Sequence, residues 1–360
     1  MSARKIKSKS GSGPVKKGVP KDLLKDLRGL IESARERVAT QVNAEITLLY
    51  WQVGNRIRKD ILKEKRADYG KGIVDAVSQQ LVDEFGKGFD RANLFRMVQF
   101  AEVFPDEQIV VSLTRQLSWT HFVALLPLKK PLQRDFYAEM CRIERWSVRT
   151  LRAKIGGMLF ERTAISKKPE DLVKQELAQL REEDQLTPDL VFKDPYFLDF
   201  LGLSNSFSEK DIESAILREL ESFLLEIGID FAFVGRQKRI TVDNEDYYID
   251  LLFYHRRLAR LVVIELKLDK FKPADKGQVE LYLRWLDKHE RQPGEGSPIG
   301  LILCAGKSNE HVELLELEKS GIRVAEYMTE LPPRDLLEKK LHQAILLAKE
   351  RLAPPEEEKE

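Results

Sequence analysis

The sequence predicts a two-part α+β chain: an all-helical N-terminal half, then an α/β sandwich around a mixed sheet. Three observations carry this. At 360 residues the chain exceeds what one ordinary core serves. From about residue 22 to 160 apolar residues recur at three- and four-residue spacing, and no period-two alternation appears. Beyond about 190 the pattern changes: apolar runs at 231–234, 248–254, 261–268, 299–305 and 322–327 alternate with helical stretches, in the order α-β-β-β-α-β-α-β.

Bulk composition bounds the function classes. Sixty Lys and Arg against fifty-nine Asp and Glu give a formal charge of +1, so any attraction to a polyanion must come from a local patch. Cys141 and Cys304 form no CxxC pair and read as core residues. No run of ~18 apolar residues predicts a membrane span, and the basic N-terminus lacks the apolar segment of a signal peptide. The expectation is a cytoplasmic protein with no membrane partner. No GxGxxG, P-loop or GxSxG is present, which removes support for a nucleotide cofactor or a serine hydrolase. The five histidines are scattered without zinc spacing.

Each element has its signal. Residues 1–21 hold seven basic residues among Gly, Ser and Pro and are expected to be a disordered tail; 354–360 form an acidic one. Val38, Val42, Ile46, Leu49, Val53, Ile57 and Ile61 predict one long amphipathic helix, and its length suggests a homodimer interface over 35–66. Ile73, Val77, Leu81 and Phe85 predict a helix over 72–85. "GKGF" ends it, and Asp90 is placed to N-cap a third helix through Val103, which Pro105 stops. Ser147 is placed to cap another through about Leu159. Polar residues 161–190 are expected to link a domain over 22–160 to one over 191–353. There a single helix running to a Gly228 cap precedes the strands.

The chemistry sits where charge interrupts the apolar strands. Glu265 and Lys267, two apart on a strand, leave the same face. "RRLAR" suits a hairpin that would bring Asp250 of "YYIDLLFY" beside them. Two adjacent carboxylates resist joint ionisation unless a cation lies between them. Oxygen-only ligands favour Mg²⁺ or Mn²⁺, and a neighbouring lysine suits phosphoryl chemistry. A structural ion pair at a sheet edge accounts for Glu265 and Lys267 alone; Asp250 tips the balance, because an unpaired buried carboxylate is costly.

This constellation, with "FAFVGRQKRI", "VVIELKLDKFKPADKGQVELYL", "IGLILC" and the N-terminal "LSWTHFVALL", resembles the YhcG-like family of PD-(D/E)xK nucleases, over nearly the whole chain beyond residue 20. The resemblance implies a restriction-endonuclease-like sandwich behind a helical domain. It implies that Asp250, Glu265 and the Leu266 carbonyl hold the metal, with Lys267 facing water and phosphate. Gln278 and Tyr282 match a Gln-x-x-x-Tyr pattern that supports the lysine or contacts substrate. Among the glutamates of the preceding helix, Glu213 is the preferred additional ligand. Ile249 stands where the superfamily's name has proline.

The implied substrate is a nucleic acid: DNA, with RNA or branched DNA as the alternative, and a catalytically silent DNA-binding protein as the rival class. The helices 72–85 and 91–103 suggest a helix-turn-helix that presents Arg91, Asn93, Arg96 and Gln99 to base edges, although a helical bundle with a polar surface has the same spacing. Arg236 and Gln237 are expected to reach phosphate.

Overall fold

A computed structural model of the chain describes residues 21–64, 67–203, 207–228 and 230–352. The two expected tails lie outside the described residues, apart from Lys21. Contacts divide the chain into two compact units, 1–119 and 120–360.

The first unit is helical: α1 (Lys21–Glu64), α2 (Ala67–Phe85), α3 (Arg91–Val103) and α4 (Glu107–Thr114). Asp90 caps α3 as its position predicts, accepting from the Asn93 amide at 2.8 Å. The core joins Ile57, Val74, Leu94 and Met97. Helix α1 divides the expected apolar stripe: Ile57 and Val53 pack in this core, and the earlier residues do not. Val38, Val42, Ile46 and Leu49 are exposed, and the side that packs holds Thr47, Trp51 and Gly54 as well. Gly54 explains this packing, because a β-carbon there would stand 1.9 Å from the Met97 carbonyl oxygen. Bare backbone lets α3 cross α1 at that distance. Among the described side chains of α2, Val74 and Ser78 are buried, whereas Phe85 is exposed.

The second unit opens with α5 (Trp119–Leu125), α6 (Pro131–Glu144), α7 (Val148–Gly156), α8 (Leu159–Arg162), α9 (Glu170–Glu183) and α10 (Pro188–Val191). Ser147 caps α7, accepting from Thr150 N. That helix stops at Gly156 rather than near Leu159, where Met158 turns left-handed. The expected connection 161–190 contains α9, which buries Val173, Leu177 and Leu180. Arg181 on α9 donates to Glu139 of α6 at 2.6 Å.

Then come β1 (Tyr196–Phe197), α11 (Glu209–Arg218), α12 (Leu220–Ile227), β2 (Phe231–Val242), β3 (Glu245–His255), β4 (Arg260–Lys270), α13 (Pro273–His289), β5 (Ile299–Gly306), α14 (Asn309–Leu314), β6 (Ile322–Met328) and α15 (Arg334–Leu352). The single helix expected before Gly228 is two, broken at Glu219, which leaves helical geometry at ψ 35. The sheet order is β1-β6-β5-β4-β3-β2. Strands β2, β3 and β4 run antiparallel, and β4, β5, β6 and β1 parallel. Asp243 and Asn244, both with positive φ, close the β2–β3 hairpin with the mirror-image turn that strand twist favours. The central run Val262–Leu266 is buried throughout because helices cover both faces. Helix α13 packs Val279, Tyr282, Leu283 and Leu286 against Leu252, Val263 and Ile302. The α12 ring of Phe223 lies 5.9 Å from Phe253.

Candidate active site

The register of the sheet builds the site. Strand β3 pairs with β4 through Leu251↔Ile264, and one further step sets Asp250 opposite Glu265. Strand β2 pairs with β3 at Arg236↔Leu251 and Lys238↔Ile249, which sets Gln237 opposite Asp250. Gln237, Asp250 and Glu265 therefore form a row across three strands, and Lys267 follows two residues along β4.

Glu265 is 2% exposed. Its Oε1 accepts from Lys267 Nζ at 2.9 Å and from Gln278 Nε2 at 2.9 Å. Its Oε2 is buried with no donor. Burial pushes the Glu265 carboxyl up to about 7, the negative charge of Asp250 adds to the rise, and Lys267 opposes it. Asp250 is also raised by burial, against the Leu266 amide that donates to its Oδ2 at 2.9 Å and the charge of Lys267. Burial works to lower Lys267, but the Glu265 charge overrides it and the ammonium ends above its ordinary value. Lys267 is thus cationic at neutral pH.

Helix α13 steadies this pair. The Gln278 amide donates to Tyr282 Oη at 2.8 Å as well as to Glu265, and its oxygen lies 3.4 Å from Lys267 Nζ. Tyr282 Oη donates in turn to the Tyr248 carbonyl at 3.1 Å, tying α13 to β3. From α11, Glu213 joins at one remove: Gln237 Nε2 donates to its Oε2 at 2.8 Å and to Asp250 Oδ1 at 3.1 Å. Glu213 is 7% exposed, and Arg236 Nη1 lies 4.0 Å from its Oε1. The structure thus brings together Asp250, Glu265, Leu266, Lys267, Gln278, Tyr282, Gln237, Glu213 and Arg236.

Glu209 had no place in the sequence-based set. Its Oε1 accepts from Leu268 N at 3.3 Å, and its charge bears on both Glu265 and Lys267. Its position one turn before Glu213 on the same helix was the available signal.

The residues expected on α3 lie in the other unit and differ among themselves. Arg91, Arg96 and Gln99 are exposed. Arg91 pairs with Asp75 and its guanidinium lies 5.1 Å from the Phe95 ring centre. Asn93 is spent inside the fold: it donates to the Gly88 carbonyl at 2.5 Å and accepts from Trp119 Nε1 at 3.0 Å. Its polar type suggested base contact, but spacing alone does not reveal that a loop carbonyl and an indole already use both ends of its amide.

Among the described residues, no three His, Cys, Asp or Glu side chains converge to hold an ion by themselves. The donor set still fits a hard divalent cation. Two opposed carboxylates with raised pKa values, one with a buried oxygen lacking any donor, suit an ion that keeps several water ligands.

A sheet that passes from antiparallel to parallel, with an acidic pair and a lysine on adjacent strands, defines a PDDEXK-type nuclease. Comparison with known proteins agrees: residues 189–342 match the YhcG PDDEXK nuclease domain, and residues 26–162 the DUF1016 N-terminal domain. The inferred nuclease YhcG of Escherichia coli (strain K12) is 33% identical over 351 residues, spanning 88% of this chain and 92% of that one. The chain belongs to the YhcG family. A repair endonuclease from Pyrococcus abyssi aligns at 22% identity over 36% of this chain and 50% of its own, with a TM-score of 0.25, too slight a likeness to bear on the reaction. Among the described residues no helix is long and apolar enough to cross a membrane.

Proposed function

We propose that this chain is a cytoplasmic, Mg²⁺- or Mn²⁺-dependent deoxyribonuclease, in which residues 191–353 cut the phosphodiester and residues 22–160 bind the DNA. The observation that carries the reading is the opposed pair Asp250 and Glu265 with Lys267 held against it. A cation bound by Asp250, Glu265 and the Leu266 carbonyl would polarise a phosphoryl oxygen and lower the pKa of a water. The protein's own part is to hold charge and geometry. Lys267 stays protonated, so its ammonium is suited to orient the attacking water and to neutralise charge developing on the phosphate. Gln278 fixes Lys267 and Glu265 relative to each other, and Tyr282 fixes Gln278. Arg91, Arg96 and Gln99 supply DNA contacts from α3, and Arg236 supplies one to phosphate. Asn93 is excluded from this set because its amide serves the fold.

The test is cleavage of supercoiled and linear DNA, single-stranded RNA and branched DNA with Mg²⁺, Mn²⁺ or EDTA, beside Asp250→Asn and Lys267→Ala. Metal-dependent cutting of duplex DNA, lost in both variants with binding retained, is the expected outcome. Preferential cutting of RNA or branched DNA would change the substrate. Tight, salt-dependent binding without any cutting would mean a silent DNA-binding protein.

We also propose that two copies pair through α1. Leu27, Ile31, Val38, Val42, Ile46 and Leu49 are all exposed, on a side turned away from Thr47, Trp51 and Gly54. The described side chains of 27–46 are almost all exposed; a helical stretch with so little packing is marginal in water, and a self-complementary apolar stripe supplies what it lacks.

A further inference from the structure

Gln237 departs from its strand. It lies within β2, flanked by paired residues on both sides, yet its φ is 44°. A non-glycine residue takes up that left-handed conformation only where its surroundings over-determine it. Strand alternation would send Arg236 and Gln237 to opposite faces. With the turn at 237, both reach Glu213: the amide at 2.8 Å and the guanidinium at 4.0 Å.

The same nitrogen, Gln237 Nε2, also donates to Asp250 at 3.1 Å. A carboxamide has two hydrogens, and here each goes to a different carboxylate. The three residues also differ in exposure: Glu213 is buried, Asp250 half-buried and Gln237 exposed. A neutral donor thus bridges two acids from the solvent side, where a cation would otherwise be needed to keep them together.

We propose that Gln237 is a positioning residue that holds Glu213 and Asp250 together in the cation-free enzyme, and that a divalent cation displaces its amide on entry. This rests on the metal-dependent reading above. It gives Glu213 a conditional role: bridged through Gln237 when the site is empty of metal, and released toward the ion when it is filled. The strained backbone fits such a part, since relaxation of Gln237 accompanies release of the bridge.

The experiment uses the full chain, as wild type, Gln237→Ala and Gln237→Gly, the glycine accepting the left-handed backbone without strain. Mn²⁺, and for wild type also Mg²⁺, is titrated by calorimetry, and melting is followed in EDTA and in saturating Mn²⁺. Without the bridge, both variants melt lower than wild type in EDTA, and Mn²⁺ removes the difference. Both bind Mn²⁺ about tenfold more tightly, the change expected when one charge-assisted hydrogen bond no longer competes. Equal or weaker Mn²⁺ binding in the glycine variant would overturn the proposal, for Gln237 would then be assisting the cation. The wild-type titration is read first: if it binds neither Mn²⁺ nor Mg²⁺, the metal-dependent reading itself falls. If wild type binds and the variants match it, only the role of Gln237 falls.

Discussion

Two glycines of helix α1 should respond to the same substitution with opposite signs. Glycine inside a helix costs up to ~1 kcal/mol relative to alanine, so Gly→Ala ordinarily stabilises. At Gly29 nothing lies within 4 Å of an added β-carbon, and Gly29→Ala should gain about 0.5–1 kcal/mol. At Gly54 the added carbon would stand 1.9 Å from Met97 O, 2.3 Å from Met97 C and 2.9 Å from Val98 N. All three atoms are backbone, so no rotamer change relieves the clash, and α1 must retreat from α3. That movement loosens Trp51, Ile57, Leu94 and Met97, each at most 8% exposed. Overpacking costs ~1–3 kcal/mol where side chains can adjust, and a backbone clash belongs at or above the top of that range. Gly54→Ala should therefore lose at least about 2 kcal/mol after the propensity gain is counted. Urea unfolding of the full chain, followed by tryptophan emission and far-ultraviolet dichroism, measures both variants. Because α3 carries Arg91 and Arg96, Gly54→Ala should also weaken DNA binding while leaving Mn²⁺ binding unchanged. A Gly54→Ala protein as stable as wild type would refute the close crossing of the two helices.

Further outcomes follow from the site and its surroundings. Lys267→Ala should lower the turnover number by ~100-fold or more at unchanged DNA affinity, as loss of a group stabilising transition-state charge does. Tyr282→Phe removes a buried hydroxyl that links Gln278 to the Tyr248 carbonyl; it should cost ~1–2 kcal/mol in unfolding and reduce turnover more than affinity. His255 is 2% exposed, and burial holds its pKa down to about 4. Its folded value lies below the unfolded 6.5, so its stabilising contribution is complete above pH 6.5 and is lost as pH falls toward 4. That loss amounts to about 3 kcal/mol, and the difference between wild type and His255→Phe in unfolding at pH 7 and pH 4 measures it. A charge in the exposed stripe of α1, Val38→Glu, should shift the sedimentation mass from dimer to monomer without altering helix content.

Much of this was legible in the sequence where a local rule governs. Asp90 announces α3 because a carboxylate before a helix satisfies amides that nothing else can reach. The pairing of Asp250 with Glu265 follows from two strands, a short basic turn and the two-residue pleat. Long-range geometry was less accessible. The apolar spacing of α1 gave the helix and its core residues Val53 and Ile57 but could not show that Thr47, Trp51 and Gly54 pack as well, since the deciding residue is a glycine whose meaning depends on Met97 arriving opposite it. Asn93 looked like a reader of bases because spacing cannot show that Gly88 and Trp119 claim its amide. Glu213 was preferred over Glu219, Glu221 and Glu226 of the same expected helix, and the structure joins it to the acidic row through Gln237, which turns toward it. Glu226, also eligible by sequence, instead accepts from Arg162 at 2.5 Å, away from the acidic row.

Asp250 also does work that has nothing to do with charge. Backbone pairing of β3 with β4 ends at Leu251↔Ile264, although both strands continue. The next β4 amide in need of an acceptor on that side, Leu266 N–H, is met by the Asp250 side chain. The two strands part there like the arms of a fork, and the carboxylate is the rivet at the crotch. Replacing Asp250 with alanine would leave a buried amide without a partner and let the fork open further, a cost of ~1–3 kcal/mol in its own right. Asparagine keeps an acceptor oxygen and removes only the charge. At this position chemistry and carpentry share one side chain, and only a substitution that spares the joint reports on the reaction.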